Sequence, residues 1–364
     1  MSEEDRRSRR RVLLGAASAI GVATAGCVTA PIPDVVGVDQ LPQGTQSSEG
    51  ADPDAGPYAE VYDATIDSVV LIETAGSLGG GQGSGFVYDG RHIVTNDHVV
   101  ADAARIDVRF AGNEHAEATV EGTDVFSDLA VLSVDSLPGY ADPLPLAPEN
   151  PSVGQEVVVL GNPLGFDASV TQGIVSGVNR SLDSPTGFAI PNAVQTDAAV
   201  SPGNSGGPLV DMAGRVVAVI NSGADNIGFG ISTELTQRVV PALIEHGRFQ
   251  HTFLGVRLAD VSPAVATAND LEGPIGVIVV EVLEDGPARN TLRGSEEERT
   301  ELGEPIAVGG DVIVGLDGEE ISTRPELSSY LALEVDPGDE LELEIVRDGE
   351  FETVTMTVGT RPEP

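Results

Sequence analysis

The chain has 364 residues, and its 58 acidic side chains outnumber 19 basic ones to give a formal net charge of −39. A surface this acidic repels phosphate backbones, which excludes nucleic-acid binding. With 44 Gly and 24 Pro the chain is rich in turns, which argues against an all-helical bundle.

All of the basic residues are Arg, and the acids are spread through both halves of the chain between apolar runs. This distribution disfavours a single acidic, disordered tail. Salt shortens the Debye length to about 3 Å at 1 M and so screens the repulsion among the acids. The composition therefore predicts a folded protein from a hypersaline environment, and the lack of Lys beside excess Asp and Glu resembles haloarchaeal proteins.

The first 57 residues predict an export signal and a spacer. An Arg pair precedes a weakly apolar run over 12–26, which is too short to span a bilayer. The pair resembles the twin-arginine export signal; an ordinary basic signal peptide and a charged helix start are the alternatives. We expect residues 1–27 to be a signal peptide and residues 28–57, rich in Pro, Gly, Ser and Asp, to be a flexible linker.

Cys27 is the only cysteine, which excludes a disulfide within the chain. It ends the segment Thr24-Ala25-Gly26-Cys27, which resembles a lipobox although Thr24 stands where an aliphatic residue is usual. Lipidation of Cys27 would anchor the protein to the outer face of the cell membrane. An accidental Cys beside an ordinary cleavage site would leave the protein secreted.

Short apolar segments follow one another from about residue 68, separated by Gly, Pro, Asn and Asp. Short strands with regular turn signals predict an all-β barrel or sandwich. One helix is predicted near residue 240, with Ser232 as its cap, Gly247 after its last turn and Pro241 as a kink or a break.

The segment Gly203-Asn204-Ser205-Gly206-Gly207 has the composition of a nucleophile turn. A serine hydroxyl attacks only when a base takes its proton, and backbone N–H groups must face the developing oxyanion. Glycines on either side of Ser205 allow the dihedral angles that turn those amides inward. Ser205 is a candidate nucleophile, and the candidate oxyanion hole consists of the amides of Gly203 and Ser205, with that of Asn204 as a further option.

Two more segments carry the partners that such a serine requires. His98 lies at a turn after a predicted strand, and Asp128 immediately precedes the buried strand predicted over 129–134. An Asp in that place can hold a His and fix its tautomer, although an Asp in so acidic a chain is commonly a plain turn residue. The order His, Asp, Ser on an all-β background matches the chymotrypsin arrangement and neither the subtilisin nor the α/β-hydrolase order.

These segments resemble the HtrA/Deg family of serine proteases. The resemblance is carried, in family order, by residues 83–86, 95–100, 127–132, 161–163, 196–209 and 228–231. It implies a mainly β fold with a chymotrypsin-like, trypsin-related double β-barrel protease domain over residues 58–248. It also implies that His98 is the general base, Asp128 its orienting group and Ser205 the nucleophile.

The same resemblance bears on specificity. In chymotrypsin-like folds the residue six before the nucleophile lies at the base of the S1 pocket, and here that residue is Ala199. An apolar pocket that takes small aliphatic residues is therefore expected. Asp197 is expected to brace the active-site loop rather than to contact substrate.

The other histidines are not expected to take part in catalysis. His92 is expected to pair across the barrel, and His115, His246 and His251 are expected to be solvated. No His, Cys and acid cluster has metal-ligand spacing. The sequence therefore predicts neither a metal nor another cofactor.

Residues 252–360 predict a second module of strands, a short helix over 325–333 and a final hairpin. This order resembles an α/β PDZ domain, which the HtrA family also has. PDZ domains bind a C-terminal peptide as an added strand and hold its carboxylate in a backbone nest. The matching residues are Leu254, Gly255 and Val256; a plain core strand is the alternative. The long acidic segment 292–308, with its charged run 295–299, is expected to be a solvated loop.

Together these features predict an ATP-independent serine endoprotease of unfolded or damaged exported proteins. Two other classes stay open: a non-catalytic chaperone that holds unfolded chains, and a regulatory protease with one specific membrane substrate. The resemblance also implies a homotrimer assembled near the start of the protease domain, where Tyr58 and Tyr62 are the available aromatic residues.

Overall fold

The computed structural model describes residues 56–76, 79–161, 169–184, 186–224, 227–301 and 304–363. The predicted signal peptide, Cys27 and nearly all of the predicted linker lie outside these residues. Within the described part of the chain, no helix has the length and apolar character needed to cross a membrane.

A first closed barrel contains six strands. They are β1 (Val69–Gly76), β2 (Gly79–Val87), β3 (His92–Thr95), β4 (Arg105–Arg109), β5 (His115–Asp124) and β6 (Leu129–Ser133). Their order around the barrel is β1-β2-β3-β6-β5-β4, and β1 pairs with β4 to close it. A short helix, α2 (Asp97–Val100), follows β3. Another, α1 (Pro57–Thr65), precedes the barrel.

A second closed barrel follows along the chain. Its strands are β7 (Glu156–Gly161), β8 (Ser169–Leu182), β9 (Ile190–Thr196), β10 (Pro208–Asp211), β11 (Val216–Ala224) and β12 (Ile227–Ser232). They lie in the order β10-β11-β12-β9-β8-β7, and β10 pairs with β7 to close the barrel.

The alternation of side chains along the strands builds two kinds of core. In β7, Val157 and Val159 lie in the cluster inside the second barrel, whereas Val158 and Leu160 lie in a cluster shared by both barrels. Successive residues of a strand point to opposite faces, so one strand serves both cores. Because the chain has no Trp and few aromatic residues, these cores consist mainly of Val, Leu, Ile and Ala.

Helix α3 (Thr233–His246) packs its apolar face on the shared cluster. Ser232 caps it by accepting a hydrogen bond from the Leu235 amide at 3.2 Å, and Gly247 ends it with a left-handed φ of +74°. Both caps match the sequence prediction. The prediction that Pro241 divides the helix is wrong, because the helix continues through Pro241, whose missing N–H removes one bond without ending it.

The second module is built around one six-stranded sheet, with two separate two-stranded sheets. Its elements are β13 (Thr252–Phe253), β14 (Val256–Asp260), α4 (Pro263–Ala268), β15 (Val277–Val282), β16 (Glu297–Glu301), β17 (Glu304–Val308), β18 (Val312–Leu316), β19 (Glu319–Glu320), α5 (Arg324–Glu334), β20 (Glu340–Arg347), β21 (Glu350–Thr357) and β22 (Gly359–Thr360). The sheet has the order β14-β15-β18-β20-β21, with β19 beside β18. Strand β14 is therefore at its edge.

The acidic segment predicted as a solvated loop is instead a hairpin, formed by β16 and β17. Ile306 and Ala307 of β17 are buried in a small cluster with Val265 of α4. The side-chain amide of Asn269 donates to the Ala307 carbonyl at 2.9 Å. These apolar residues, which follow the acidic run 295–301, hold the hairpin against α4.

Two histidine predictions also need correction. His251 is buried, with its side chain only 4% exposed, and its Nε2 lies 2.7 Å from Asp124 Oδ2. Its polar sequence neighbours suggested solvent, but the rings of Phe126 and Phe249 pack against it. The His92 ring bonds Asp89, three residues earlier, at 2.7 Å rather than a side chain across the barrel.

Candidate active site

Ser205 lies in the turn that precedes β10. Gly203 and Gly206 have φ values of +101° and +83°, a region that glycine enters without steric cost. A Cβ atom on Gly206 would also lie 2.2 Å from both the Ser84 carbonyl oxygen and Thr95 Oγ1. The turn thus requires glycine here for conformation and for space.

The peptide groups of this turn are held from both sides. Ser84 Oγ donates to the Gly203 carbonyl at 2.6 Å, and the Ser84 amide donates to the Ser205 carbonyl at 2.8 Å. The Gly207 amide donates to the Asn204 carbonyl at 2.9 Å. Because N–H and C=O point in opposite directions across a trans peptide, this last bond directs the Ser205 amide away from Gly207.

Two of the three candidate amides are available to stabilise an oxyanion. The Asn204 amide donates to the Ser201 carbonyl at 3.0 Å, so the prediction that it contributes to the oxyanion hole is wrong. In the part of the chain that the structure describes, the amides of Gly203 and Ser205 have no hydrogen-bond acceptor. These two remain as donors for a developing negative charge.

His98 and Asp128 are brought together by the pairing of β3 with β6. His98 Nδ1 lies 2.7 Å from Asp128 Oδ2, and the His98 amide donates to Asp128 Oδ1 at 2.9 Å. Asn96 Nδ2 donates to the Asp128 carbonyl at 2.9 Å. Asp128 itself has a left-handed φ of +54°, which Asp tolerates better than most residues. The carboxylate therefore fixes both the position of the ring and its tautomer.

The surroundings of His98 make it a stronger base. The hydrogen bond that His98 donates to Asp128 raises the pKa of His98 above its ordinary value, burial acts in the opposite direction, and the charges of Asp128 and Asp97 raise the pKa further. A base with this pKa accepts a proton from a serine hydroxyl more readily, but it is neutral only at higher pH.

Ser205 lines the same cleft as His98 and Asp128, with a volume of about 490 Å³. Its Oγ donates to the Asn221 carbonyl at 3.0 Å, and Asn221 Nδ2 donates to Asp128 Oδ2 at 2.5 Å. Asn221, on β11, thus contacts both the hydroxyl and the carboxylate. Asn221 belongs to no motif in the sequence, and the available signal is one amide at the end of the apolar run 216–220.

Comparison with known proteins agrees with this geometry. Residues 83–219 match the trypsin-like peptidase domain and residues 252–358 the PDZ domain. The solved HtrA-type protease AlgW with tripeptide superimposes with a TM-score of 0.70 at 30% identity, over 84% of this chain and 98% of that one. The chain belongs to the HtrA family of serine proteases. The expected double barrel followed by a PDZ domain is confirmed.

Curated relatives of this HtrA-family chain extend further than the chain itself. It is 39% identical over 292 residues to a probable periplasmic serine endoprotease, DegP-like, of Pseudomonas fulva, covering 77% of this chain and 56% of the relative. It is 34% identical over 293 residues to the chloroplastic protease Do-like 1 of Arabidopsis thaliana, covering 78% and 64%. The chain thus spans about 56% to 64% of the length of these relatives.

The specificity prediction at Ala199 needs correction. The structure exposes Ala199, whose carbonyl accepts a hydrogen bond from Thr171 Oγ1 at 2.7 Å, and places it outside the cleft lining. Its neighbour Val200 lines the cleft instead. Cβ atoms on Gly223 and Gly228 would lie 2.7 and 2.6 Å from the Val200 side chain. The Val200 side chain therefore occupies the space that these two glycines leave.

Asp197 behaves as a loop brace. Its Oδ1 accepts the Ile174 amide of β8 at 2.7 Å. This bond ties the segment before the nucleophile turn to the second barrel. Among the described residues, no group of three or more His, Cys, Asp or Glu is arranged to hold a metal ion.

The predicted peptide-binding residues lie at the start of the PDZ sheet. The Leu254 carbonyl accepts the Ala288 amide at 3.0 Å, and the Gly255 carbonyl accepts the Leu283 amide at 2.9 Å. Gly255 has a φ of +75°. Val256 then begins the edge strand β14. These two bonds hold the segment against residues 283–288, at the end of an edge strand.

Proposed function

We propose that this protein is an ATP-independent serine endoprotease that hydrolyses unfolded or damaged exported proteins. The observation that carries the proposal is the pairing of His98 Nδ1 with Asp128 Oδ2 at 2.7 Å in the cleft that Ser205 also lines. The amides of Gly203 and Ser205 supply the oxyanion hole beside that hydroxyl.

The acylation step follows from these contacts. Rotation about χ1 moves Ser205 Oγ from the Asn221 carbonyl to His98 Nε2, a change between staggered rotamers. His98 takes the hydroxyl proton while Oγ forms a bond to the substrate carbonyl carbon, whose oxygen becomes the oxyanion. The C–N bond then breaks as His98 gives that proton to the leaving amine. Water then attacks the acyl carbon while His98 takes its proton. The bond between that carbon and Ser205 Oγ breaks, Oγ receives the proton from His98, and the carboxylic acid leaves.

Cleavage after small aliphatic residues fits the shape of the cleft. Val200 fills the space beside Gly223 and Gly228, and its side chain gives this part of the cleft an apolar lining with little room for a larger residue. One methylene in such a pocket changes discrimination by about 10-fold to 200-fold. We therefore expect Val and Ala to be preferred over Phe at P1.

The PDZ domain is proposed to bind C-terminal peptides. A peptide would add as a strand beside β14, with its carboxylate at the amides near Leu254, Gly255 and Val256. The edge position of β14 supports this proposal. PDZ-assisted binding would hold an unfolded chain near the cleft.

Export and assembly are further parts of the proposal. We propose export by the twin-arginine route, a lipid anchor at Cys27 and a homotrimer. The name of the Pseudomonas relative, a periplasmic protease, supports export. Tyr58 donates to Glu156 Oε1 at 2.6 Å within the chain, and Tyr58 and Tyr62 pack partly on the core. Light scattering of the purified protein tests the trimer.

Digestion of casein by the full chain in molar KCl, beside Ser205→Ala, tests the protease directly. We expect cleavage by the wild type and none by the variant. Covalent labelling by a fluorophosphonate should likewise require Ser205. Retained binding of unfolded chains with neither labelling nor cleavage would favour the chaperone. Labelling without casein cleavage, together with cleavage of one membrane protein, would favour the regulatory protease.

A further inference from the structure

The two ends of the PDZ module meet the first barrel at one place. His251 immediately precedes β13, and Arg361 immediately follows β22. Both contact the turn between β5 and β6. This turn lies between Asp124 and Leu129, the last residues that pair between the two strands. Asp128 belongs to this four-residue turn, so the segments that flank the PDZ domain adjoin the residue that orients His98.

A single carboxylate oxygen of Asp124 accepts hydrogen bonds from this turn and from His251. Its Oδ2 accepts the Ser127 amide at 3.1 Å, the Ser127 hydroxyl and His251 Nε2 at 2.7 Å. The side chains of Asp124 and His251 are each only 4% exposed. A buried carboxylate that loses one donor keeps its desolvation cost, so the bond from His251 matters to the whole turn.

Aromatic contacts fix the His251 ring in this place. Its centroid lies 5.4 Å from that of Phe126 and 4.8 Å from that of Phe249, with both pairs close to edge-on. The Arg361 guanidinium lies 5.0 Å above the Phe126 ring and 4.6 Å above the Phe188 ring. Such cation–π contacts favour a defined geometry. The turn is therefore held by residues from outside the barrel.

The turn also forms a wall between two cavities. Val125 lines the active-site cleft, and it also lines a second cavity of about 490 Å³ that His251 and Arg361 border. A displacement of the turn toward either cavity would move Asp128. Asp124 and His251 both border the second cavity and not the catalytic cleft, so the bond between them lies on the second-cavity side of the turn.

We infer that His251 is a positioning residue for catalysis, which acts through Asp124 and Ser127 to hold Asp128 against His98. The inference rests on the proposed protease activity. Ser127 is bonded to Asp124 through both its amide and its hydroxyl, and it is covalently joined to Asp128. Loss of the His251 donor lets this turn relax, and the bond between Asp128 and His98 Nδ1 lengthens.

The test compares His251→Gln with His251→Asn in the full chain. The Gln amide reaches the place of Nε2 and can still donate to Asp124, whereas the Asn amide is too short. With a peptide substrate carrying Val at P1, we expect His251→Asn to lower kcat by about 10-fold to 100-fold, as small misplacements do, with little change in KM. The acid limb of the pH profile of kcat for this variant should move to lower pH, because the hydrogen bond to Asp128 that raises the pKa of His98 is weakened. His251→Gln should retain most of the activity, and the acid limb of its pH profile should stay where it is in the wild type.

His246→Ala is the matched control, since His246 is an exposed histidine at the end of α3. Equal kcat losses in both His251 variants, with an unmoved acid limb, would overturn the inference, and so would wild-type kinetics in His251→Asn. If His251→Asn does not fold, Ser127→Ala removes another donor from the same oxygen and should shift the limb in the same direction. An inactive wild type would refute the proposed function and not this inference. In that case the inference is tested by NMR, from the low-field proton resonance of the His98–Asp128 hydrogen bond. We expect this resonance to shift in His251→Asn and to stay unchanged in His251→Gln.

Discussion

At the scale of single residues, His98 sets the pH dependence of the proposed reaction. The base must be neutral to accept the Ser205 proton, and the hydrogen bond that His98 donates to Asp128 raises the pKa of His98. We therefore expect kcat/KM to rise with pH around a midpoint above about 6.5, the ordinary pKa of histidine. A pH series with a peptide substrate measures this midpoint. Activity that falls over the same range would contradict the assignment of His98 as the base.

Asn221 is a hydrogen-bond partner of both Asp128 and Ser205, and no sequence motif indicates it. Asn221→Ala removes the Nδ2 donor from Asp128 Oδ2 but keeps the backbone carbonyl that accepts Ser205 Oγ. A hydrogen bond to a charged group contributes about 1.5 to 3 kcal/mol, so we expect kcat to fall about tenfold or more. Steady-state kinetics beside Gln172→Ala, an exposed position on β8, measures the loss. Equal kinetics of the two variants would show that Asn221 does not support Asp128.

Gly206 tests the conformation of the nucleophile turn. In Gly206→Ala the new Cβ meets the Ser84 carbonyl and Thr95 Oγ1 at 2.2 Å, at a φ of +83°. We expect this variant to lose fluorophosphonate labelling of Ser205, because the turn must move to relieve the contact. Gly154→Ala is a control at a positive φ with nothing within 4 Å of its Cβ. Full labelling of Gly206→Ala would show that the turn adapts.

At the scale of elements, α3 and α5 join the barrels to the PDZ domain. Arg238 of α3 donates to the carbonyls of Leu333 and Val335, the second at 3.0 Å, and to Asp336 Oδ1 at 2.7 Å. The Leu333 carbonyl belongs to the last turn of α5, where a cation is favourable. This arginine thus ties the end of one helix to the face of another.

Arg238→Ala should loosen this contact between domains. We expect the unfolding free energy to fall by about 2 kcal/mol, the usual effect of hydrogen bonds to a charged group, and calorimetry to show the PDZ domain unfolding at a lower temperature than the barrels. Arg257→Ala is the control, since Arg257 and Glu281 form an exposed pair within the PDZ sheet and such pairs contribute little. If Arg238→Ala unfolds in a single thermal transition at the wild-type temperature, Arg238 does not stabilise the contact between the two domains.

The elements also show what sequence reasoning can reach. His98, Asp128 and Ser205 come from separate short motifs, and the structure brings all three to one cleft. The caps of α3 are equally local and were predictable. Asn221 and the hydroxyl of Ser84 act through contacts across the fold, which no local pattern encodes.

The wrong predictions have a common cause. Ala199 was assigned to the pocket by counting from the nucleophile, but Val200 lines the cleft, whereas Ala199 is exposed beside Thr171. His251 was assigned to solvent from its polar neighbours in sequence, whereas Asp124, far along the chain, provides its buried partner. Side-chain direction and distant partners are set by the tertiary structure.

At the scale of the whole molecule, we expect the acidic charge to limit stability. A net charge of −39 leaves many carboxylates without a cation. In the described part of the chain, most of the Arg residues that pair do so at the surface, as Arg91 with Glu121 and Arg105 with Asp107 do. Exposed pairs of this kind add little stability. Repulsion among the remaining acids therefore opposes the compact state in dilute buffer.

Salt should relieve this repulsion. The Debye length falls from about 30 Å at 0.01 M to about 3 Å at 1 M, so we expect the thermal midpoint measured by circular dichroism to rise steadily with KCl over this range. Sucrose at matched osmolality is the control, because it favours burial by exclusion from the surface without screening charge. A midpoint that is flat in KCl, or that rises equally in sucrose, would show that charge repulsion is not what limits the stability of this fold. A rise specific to KCl would tie the acidic surface to the saline environment that the composition predicts.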